Sequence, residues 1–279
     1  MKRLSFLSLM IVTLLFANSC KDDNEPKTKN QFPLLNSIGD MDLISNFDRP
    51  NLKGIIFLEE YNQNRYVFDN IGNFTTYTGM NHSARAMFFN TSKTHLVSLS
   101  PNYVVVNGFQ LTEYEDGLYN LPSEYDIRNL FGGGYNRIEI EPNHYFDSLV
   151  DSVTFASAIN SSISMGQIVN RNSDFIINLN GATSTSIVEC ILERVYDGFT
   201  GSTDWQPVDT NSSRVTGTAV LQQNTGNIVI PQSRIETLKT GYYILIIRAY
   251  EPKYVPLRCG GEICVVGEST FETTVYINQ

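Results

Sequence analysis

The chain holds three histidines, His82, His95 and His144, and none lies within three to five residues of another. No HExxH segment exists, so a helix carrying two imidazoles to one zinc ion is not expected. His95 alternates with Leu96 in a strand-like run, where a lone histidine more often serves structure or surface than catalysis. No serine stands in a GxSxG elbow, and Ser162-Ile163-Ser164-Met165-Gly166 matches only its second half. Gly132-Gly133-Gly134 lacks the Lys-Ser/Thr that completes a phosphate cradle, so it reads as a turn. The acidic pairs Glu59-Glu60 and Glu115-Asp116 offer carboxylates of the kind a glycosidase uses. Adjacent strand residues point to opposite faces, however, so neither pair makes a site alone and both read as solvated surface. Asp40-Met41-Asp42 could hold a structural Ca²⁺, but no EF-hand frame surrounds it. The reading is no catalytic residue, no metal ligand and no cofactor. Catalysis is left one route, a site gathered from distant strands.

One residue type suits ligand binding. Trp205, the single tryptophan, lies in the polar run Gly198 to Pro207, beside Asp204 and Gln206. An exposed indole there would stack on the apolar C–H face of a sugar. The competing and more frequent role is a plug at one end of a β-sandwich.

The elements that would position such groups are strands. The chain has 15 Tyr and 16 Phe with many Thr, Val and Ile, and no long charged or alanine-rich segments. Candidate strands in a first unit are 54–59, 65–69, 74–78, 84–90, 95–100, 103–107 and 137–141. Asn107-Gly108 between apolar runs predicts a hairpin, because both residues tolerate positive φ. A short helix is predicted over 123–130, with Ser123 as N-cap and Gly132 to Gly134 as the stop. Candidate strands in a second unit are 153–156, 174–180, 187–196, 218–222, 227–231, 242–250 and 271–277. Phe175, Ile177 and Leu179 alternate with Asp174, Ile176 and Asn178, which places one apolar face on a core. Short strands at this spacing, with Gly, Asn and Ser between them, predict a two-sheet sandwich. The run Leu238 to Ile246 contains Gly241-Tyr242-Tyr243, which resembles the entry into a late strand of immunoglobulin-like and fibronectin-III-like domains.

The N-terminus carries an address. Lys2 and Arg3 precede the uncharged apolar stretch Leu4 to Phe16, followed by Ala17-Asn18-Ser19-Cys20. This is the layout of an export signal. The apolar run is about 13 residues, and a spanning helix needs about 20. Cys20 resembles the lipid-acceptor cysteine of bacterial lipoproteins, which implies cleavage just before it, acylation such as palmitoylation, and a membrane anchor. Lys21-Asp22-Asp23-Asn24-Glu25 resembles the surface-export tag of Bacteroidetes-type lipoproteins, which implies display on the outer face of the outer membrane. Asp147-Ser148-Leu149 and Asp151-Ser152-Val153 resemble the O-glycosylation acceptor of exported proteins of that group, making Ser148 and Ser152 candidate modified residues.

Export bears on the four cysteines. Cys259 and Cys264 flank Gly260-Gly261-Glu262-Ile263, a predicted tight turn, and in an oxidising space they are candidates for a hairpin disulfide. Cys190 would then be a buried free thiol, or would itself pair with one of the other two.

The formal charge is −9, and loss of Lys2 and Arg3 makes it −11. An acidic chain repels phosphate backbones, so nucleic-acid binding is disfavoured. The expectation is an all-β protein: signal 1–19, acidic tether 20–31, β-rich domain 32–150 and immunoglobulin-like β-sandwich 151–279. Its expected role is a non-enzymatic surface lipoprotein that binds or scaffolds a glycan or an envelope protein. The alternatives are a surface polysaccharide hydrolase with carboxylates from several strands, and an adhesin or fibre subunit with an exposed edge strand.

Overall fold

The computed structural model describes residues 47–68, 73–90, 93, 95–100, 103–115, 117–122, 127–142, 148–196, 218–258 and 260–278. The protein is all-β, as its strand-forming composition predicts. The first strands are β1 (Leu52–Phe68), β2 (Phe74–Phe88), β3 (Val104–Val106), β4 (Phe109–Glu115), β5 (Leu118–Asn120), β6 (Tyr135–Ile140) and β7 (Leu149–Thr154). There follow β8 (Asn160–Ser161), β9 (Gln167–Asn170), β10 (Phe175–Asn180), β11 (Ile187–Tyr196), β12 (Thr218–Gln223) and β13 (Asn227–Ile230). A helical turn, α1 (Gln232–Ile235), precedes β14 (Gly241–Pro256) and β15 (Glu262–Asn278).

The C-terminal strands form the predicted sandwich. One layer has the order β13-β10-β8; the facing layer contains β12-β11-β14-β15, with β9 parallel to the end of β15. Between them lies a core that includes Phe175, Ile177, Cys190, Ile228, Leu245, Phe271 and Val275. In β10, Phe175, Ile177 and Leu179 are buried while Ile176, Asn178 and Asn180 are exposed, as the alternation requires. At the start of β14, the Tyr243 hydroxyl donates to the Lys239 carbonyl at 2.9 Å. This bond back to the preceding chain is the tyrosine corner of immunoglobulin-like sandwiches. Strand order and corner together give the C-terminal half that architecture.

The strands of the two halves share one sheet, ordered β12-β11-β14-β15-β1-β2-β5-β4-β3-β6-β7. β1 runs parallel to β15 from Leu52↔Glu262 to Asn64↔Thr273. The β14–β15 hairpin projects past the sandwich and completes the N-terminal core. Val255, Leu257, Ile263 and Val265 pack there with Ile56, Leu58 and Phe88 and with Val104, Ile138 and Leu149. Four such buried side chains contribute roughly 1.5–3 kcal/mol each, so the N-terminal core depends on the C-terminal hairpin.

Several elements differ from expectation. The predicted strands 54–59 and 65–69 are one strand, because Tyr61-Asn62-Gln63-Asn64 pairs with β2 on one side and β15 on the other. The ladder carries the strand through a polar run that lies between the two candidate strands. Residues 95–100 contribute a single bridge, Phe89↔Leu96, and no strand. The predicted helix 123–130 is not formed where the structure describes it: 127–130 is irregular, and Asn129 has φ +62°, which breaks a right-handed helix. The Asn107-Gly108 hairpin is present, with φ of 51° and 85°, joining β3 to β4.

Candidate functional site

Alternation along the central strands decides what the outer face of the sheet presents. Ile55 and Phe57 of β1, Met87 of β2, Tyr250 of β14, and Cys264 and Val266 of β15 build an apolar cluster with Phe47. Two residues further along, the same faces of β1 and β15 turn polar with Glu59, Tyr61, Glu268 and Thr270. The result is a cleft of about 350 Å³ lined by Glu59, Tyr61, Ser83, Arg85, Asn120, Leu121, Arg248 and Glu268.

A ladder of charges forms its floor. Arg85 pairs with Glu59 and stands 3.5 Å from Glu268 Oε2. Arg248 Nη1 donates to Glu189 Oε2 at 3.1 Å, and its Nε lies 3.8 Å from Glu268 Oε1. The hydroxyls of Tyr61 and Tyr250 donate to Glu59 Oε2 and Glu189 Oε2 at 3.2 and 3.3 Å. Arg85 also lies 4.5 Å over the Phe57 ring. Three carboxylates thus meet two guanidiniums across β11, β14, β15, β1 and β2. The Glu59 and Glu268 side chains are 6 % and 3 % exposed, whereas Arg85 and Arg248 keep 28 % and 22 %. Of the four charges that line the cleft, the arginines are therefore the more exposed. Burial first, then the Glu268 charge, pushes the Tyr61 and Tyr250 hydroxyls well above the usual phenol range. Both phenols remain protonated donors at neutral pH.

Chemically, the cleft offers fixed planar donors, fixed carboxylate acceptors, an amide at Asn120 and a tyrosine ring. That set matches a neutral ligand rich in hydroxyls. It also places Glu59 and Glu268 side by side from two strands, the arrangement a hydrolase would need. Arg85 stands beside both carboxylates.

Glu59 and Glu60 are not the solvated surface expected of them. They are 4 % and 8 % exposed, Glu59 on the cleft side and Glu60 on the opposite face beside His82, at 3.4 Å from Nε2. Side chains of β2 lie against both carboxylates, Arg85 against Glu59 and His82 against Glu60. Arg85, Arg248, Glu189 and Glu268 were not singled out from sequence. The signal available was a charge inside an apolar strand, as in Ile246-Ile247-Arg248-Ala249 and Val265-Val266-Gly267-Glu268.

Among the described residues, no other sequence candidate lines this cleft. Cys20, Trp205, Cys259 and His144 lie outside the described residues. His95 is exposed. Ser148 and Ser152 are both exposed, Ser148 just before β7 and Ser152 within it. Cys264 is buried, and its candidate disulfide partner Cys259 lies outside the described residues. Burial pushes the Cys264 thiol up to about 12, against Tyr254 and Arg49, and Arg49 lies 3.3 Å over the Tyr254 ring. Cys190 is a free thiol buried in the sandwich core.

No protein-family model matches the chain, and no curated protein matches it. Among solved structures it is similar to one described as "Crystal structure of DIP-gamma IG1+IG2", at 9 % identity, covering 82 % of this chain and 99 % of that one with a TM-score of 0.22. That score is far below that of a shared fold. The immunoglobulin-like architecture therefore rests on the strand order around β10, β13, β11, β14 and β15 and on the Tyr243 corner.

Proposed function

We propose that this chain is a lipid-anchored lipoprotein of the outer membrane, displayed on the cell surface, whose β-structure is a non-enzymatic binding module for a glycan. The observation that carries the ligand is the cleft. Arg85 and Arg248 present forked donors beside the Glu59 and Glu268 acceptors, Asn120 and Tyr61. Neighbouring hydroxyls of a sugar ring both donate and accept, and a rigid row of opposite charges answers both. The floor is already ordered by its own ion pairs, so little side-chain entropy is lost on binding. The anchor reading rests on Lys2, Arg3, the apolar stretch to Phe16, and Cys20.

A glycan array with the chain from residue 21 onward tests the ligand. The expected result is binding without turnover of any bound sugar. Hydrolysis of a bound glycan would favour the hydrolase alternative, and capture of an envelope protein with no glycan signal would favour scaffolding. Metabolic labelling with an alkyne fatty acid tests the anchor: the tag is expected on wild type and not on Cys20→Ala, and a tag that survives the substitution contradicts it.

A further inference from the structure

We propose that the sugar-binding face extends past the cleft to a second subsite at the Tyr77 ring of β2, so that the ligand is a chain of sugars laid along β1 and β2. The inference rests on the glycan reading of the cleft. Side chains two residues apart on a strand share a face, and so do residues directly opposite in an antiparallel pair. Glu59 and Tyr61 of β1 line the cleft, with Ser83 and Arg85 of β2. The same face of β1 continues to Gln63 and Arg65, and that of β2 continues to Asn81, Gly79 and Tyr77. On β15 it continues from Glu268 to Glu272. Gln63 Nε2 donates to Glu272 Oε2 at 2.8 Å, and Arg65 Nε stands 3.6 Å from the same oxygen, so these three groups meet on that face.

Tyr77 lies down on this face. A Cβ at Gly79 would meet the Tyr77 hydroxyl oxygen at 2.7 Å and ring carbons at 2.9 and 3.0 Å, so the ring occupies the space a side chain there would fill. Tyr77 is nonetheless 39 % exposed. A ring laid along a sheet and open to solvent suits the apolar C–H face of a sugar. Tyr77 pairs with Arg65 across the ladder. Arg65 and Gln63 therefore supply donors beside the ring, and Glu272 supplies an acceptor, for the hydroxyls of a stacked sugar. These groups already hold one another in place, so little side-chain entropy is lost on binding. Between ring and cleft, Gly79 has no side chain to obstruct the path and Asn81 is an exposed amide. Tyr77 stands about 20 Å from Ser83 along β2, at roughly 3.3 Å per residue. One sugar ring does not reach both subsites, whereas a chain does.

Calorimetric titration of the chain from residue 21 onward with length ladders of neutral gluco-, galacto-, manno- and xylo-oligosaccharides, from single sugars upward, tests this. For a ladder that binds, affinity is expected to rise with length. Tyr77→Ala is expected to remove that rise and to leave the shortest binding member unchanged. Its longest member should weaken by about tenfold or more, the scale of one aromatic contact. Tyr77→Phe keeps the ring and is expected to bind as wild type does. Gly79→Ala keeps the ring but displaces it, and is expected to weaken long members only. An unchanged melting temperature shows that each variant is folded. Equal affinity for short and long members overturns the proposal and leaves the glycan reading of the cleft standing. So does a length dependence that survives Tyr77→Ala. Failure of every ladder to bind overturns the glycan reading itself, and this inference with it.

Discussion

Replacing Arg85 with leucine measures how far the charged ladder is structural. Arg85 pairs with Glu59, stands 3.5 Å from Glu268 and lies over Phe57. Its removal leaves Glu59 with the Tyr61 hydroxyl and Glu268 with Arg248 at 3.8 Å. Removing one partner of a buried ion pair costs about 3–5 kcal/mol. Arg85 retains 28 % exposure, so the low end applies, about 3 kcal/mol, with about 0.5–1 kcal/mol more for the lost cation–π contact. At about 2–4 °C per kcal/mol for a chain of this size, the melting temperature falls by about 10 °C. Urea denaturation and calorimetry at neutral pH read both quantities. Arg85→Leu/Glu59→Leu should recover most of the loss, because an apolar pair of similar volume removes the buried Glu59 charge together with its partner. A loss below about 1 kcal/mol for the single variant, the range of exposed pairs, would refute the buried-ladder account.

Three further outcomes follow from the packing. A Cβ on Gly267 would lie 2.6 Å from the Phe155 ring, so Gly267→Ala should cost about 1–3 kcal/mol in a denaturation series, and Phe155→Leu should recover part of it. Tyr243→Phe removes the bond to Lys239 O and should lower stability by about 1 kcal/mol while leaving any glycan binding unchanged. Stability should be full below about pH 9 and fall above it. Cys264, Tyr61 and Tyr250 stay protonated in the fold beyond the values of 9.0 and 10.0 at which they ionise in the unfolded chain. Each contributes a slope of about 1.4 kcal/mol per pH unit in that window, so Tyr250→Phe should flatten the decline above pH 10.

The sequence revealed what local pattern controls. The period-two run of β10, the Asn107-Gly108 turn and the Gly-Tyr entry to β14 each carry their own stereochemistry, and each is present. The length of β1 and the N-terminal half of β15 were not legible. Tyr61 to Asn64 lacks apolar alternation, and strands on both sides supply the hydrogen bonds that make it part of β1. The sharing of one sheet by both halves is a parallel pairing of residues about 200 apart, which leaves no local mark. The cleft was half legible. Glu59 stands out in the sequence as one of an acidic pair, but its neighbours Arg85, Arg248 and Glu268 come together only through the register of β2, β1, β15 and β14.

The central claim is that the cleft holds a hydroxyl-rich ligand. Its most direct test is calorimetric titration of the strongest glycan-array hit into wild type and Asn120→Trp. Asn120 lines the cleft, is exposed, and stands outside the ion-pair ladder, so a bulky ring there blocks the cleft and spares its floor. The account predicts measurable binding to wild type and a loss of about a hundredfold or more in Asn120→Trp, the scale of about 2.7 kcal/mol, at an unchanged melting temperature. Equal binding by both proteins would contradict it and place the ligand elsewhere on the chain.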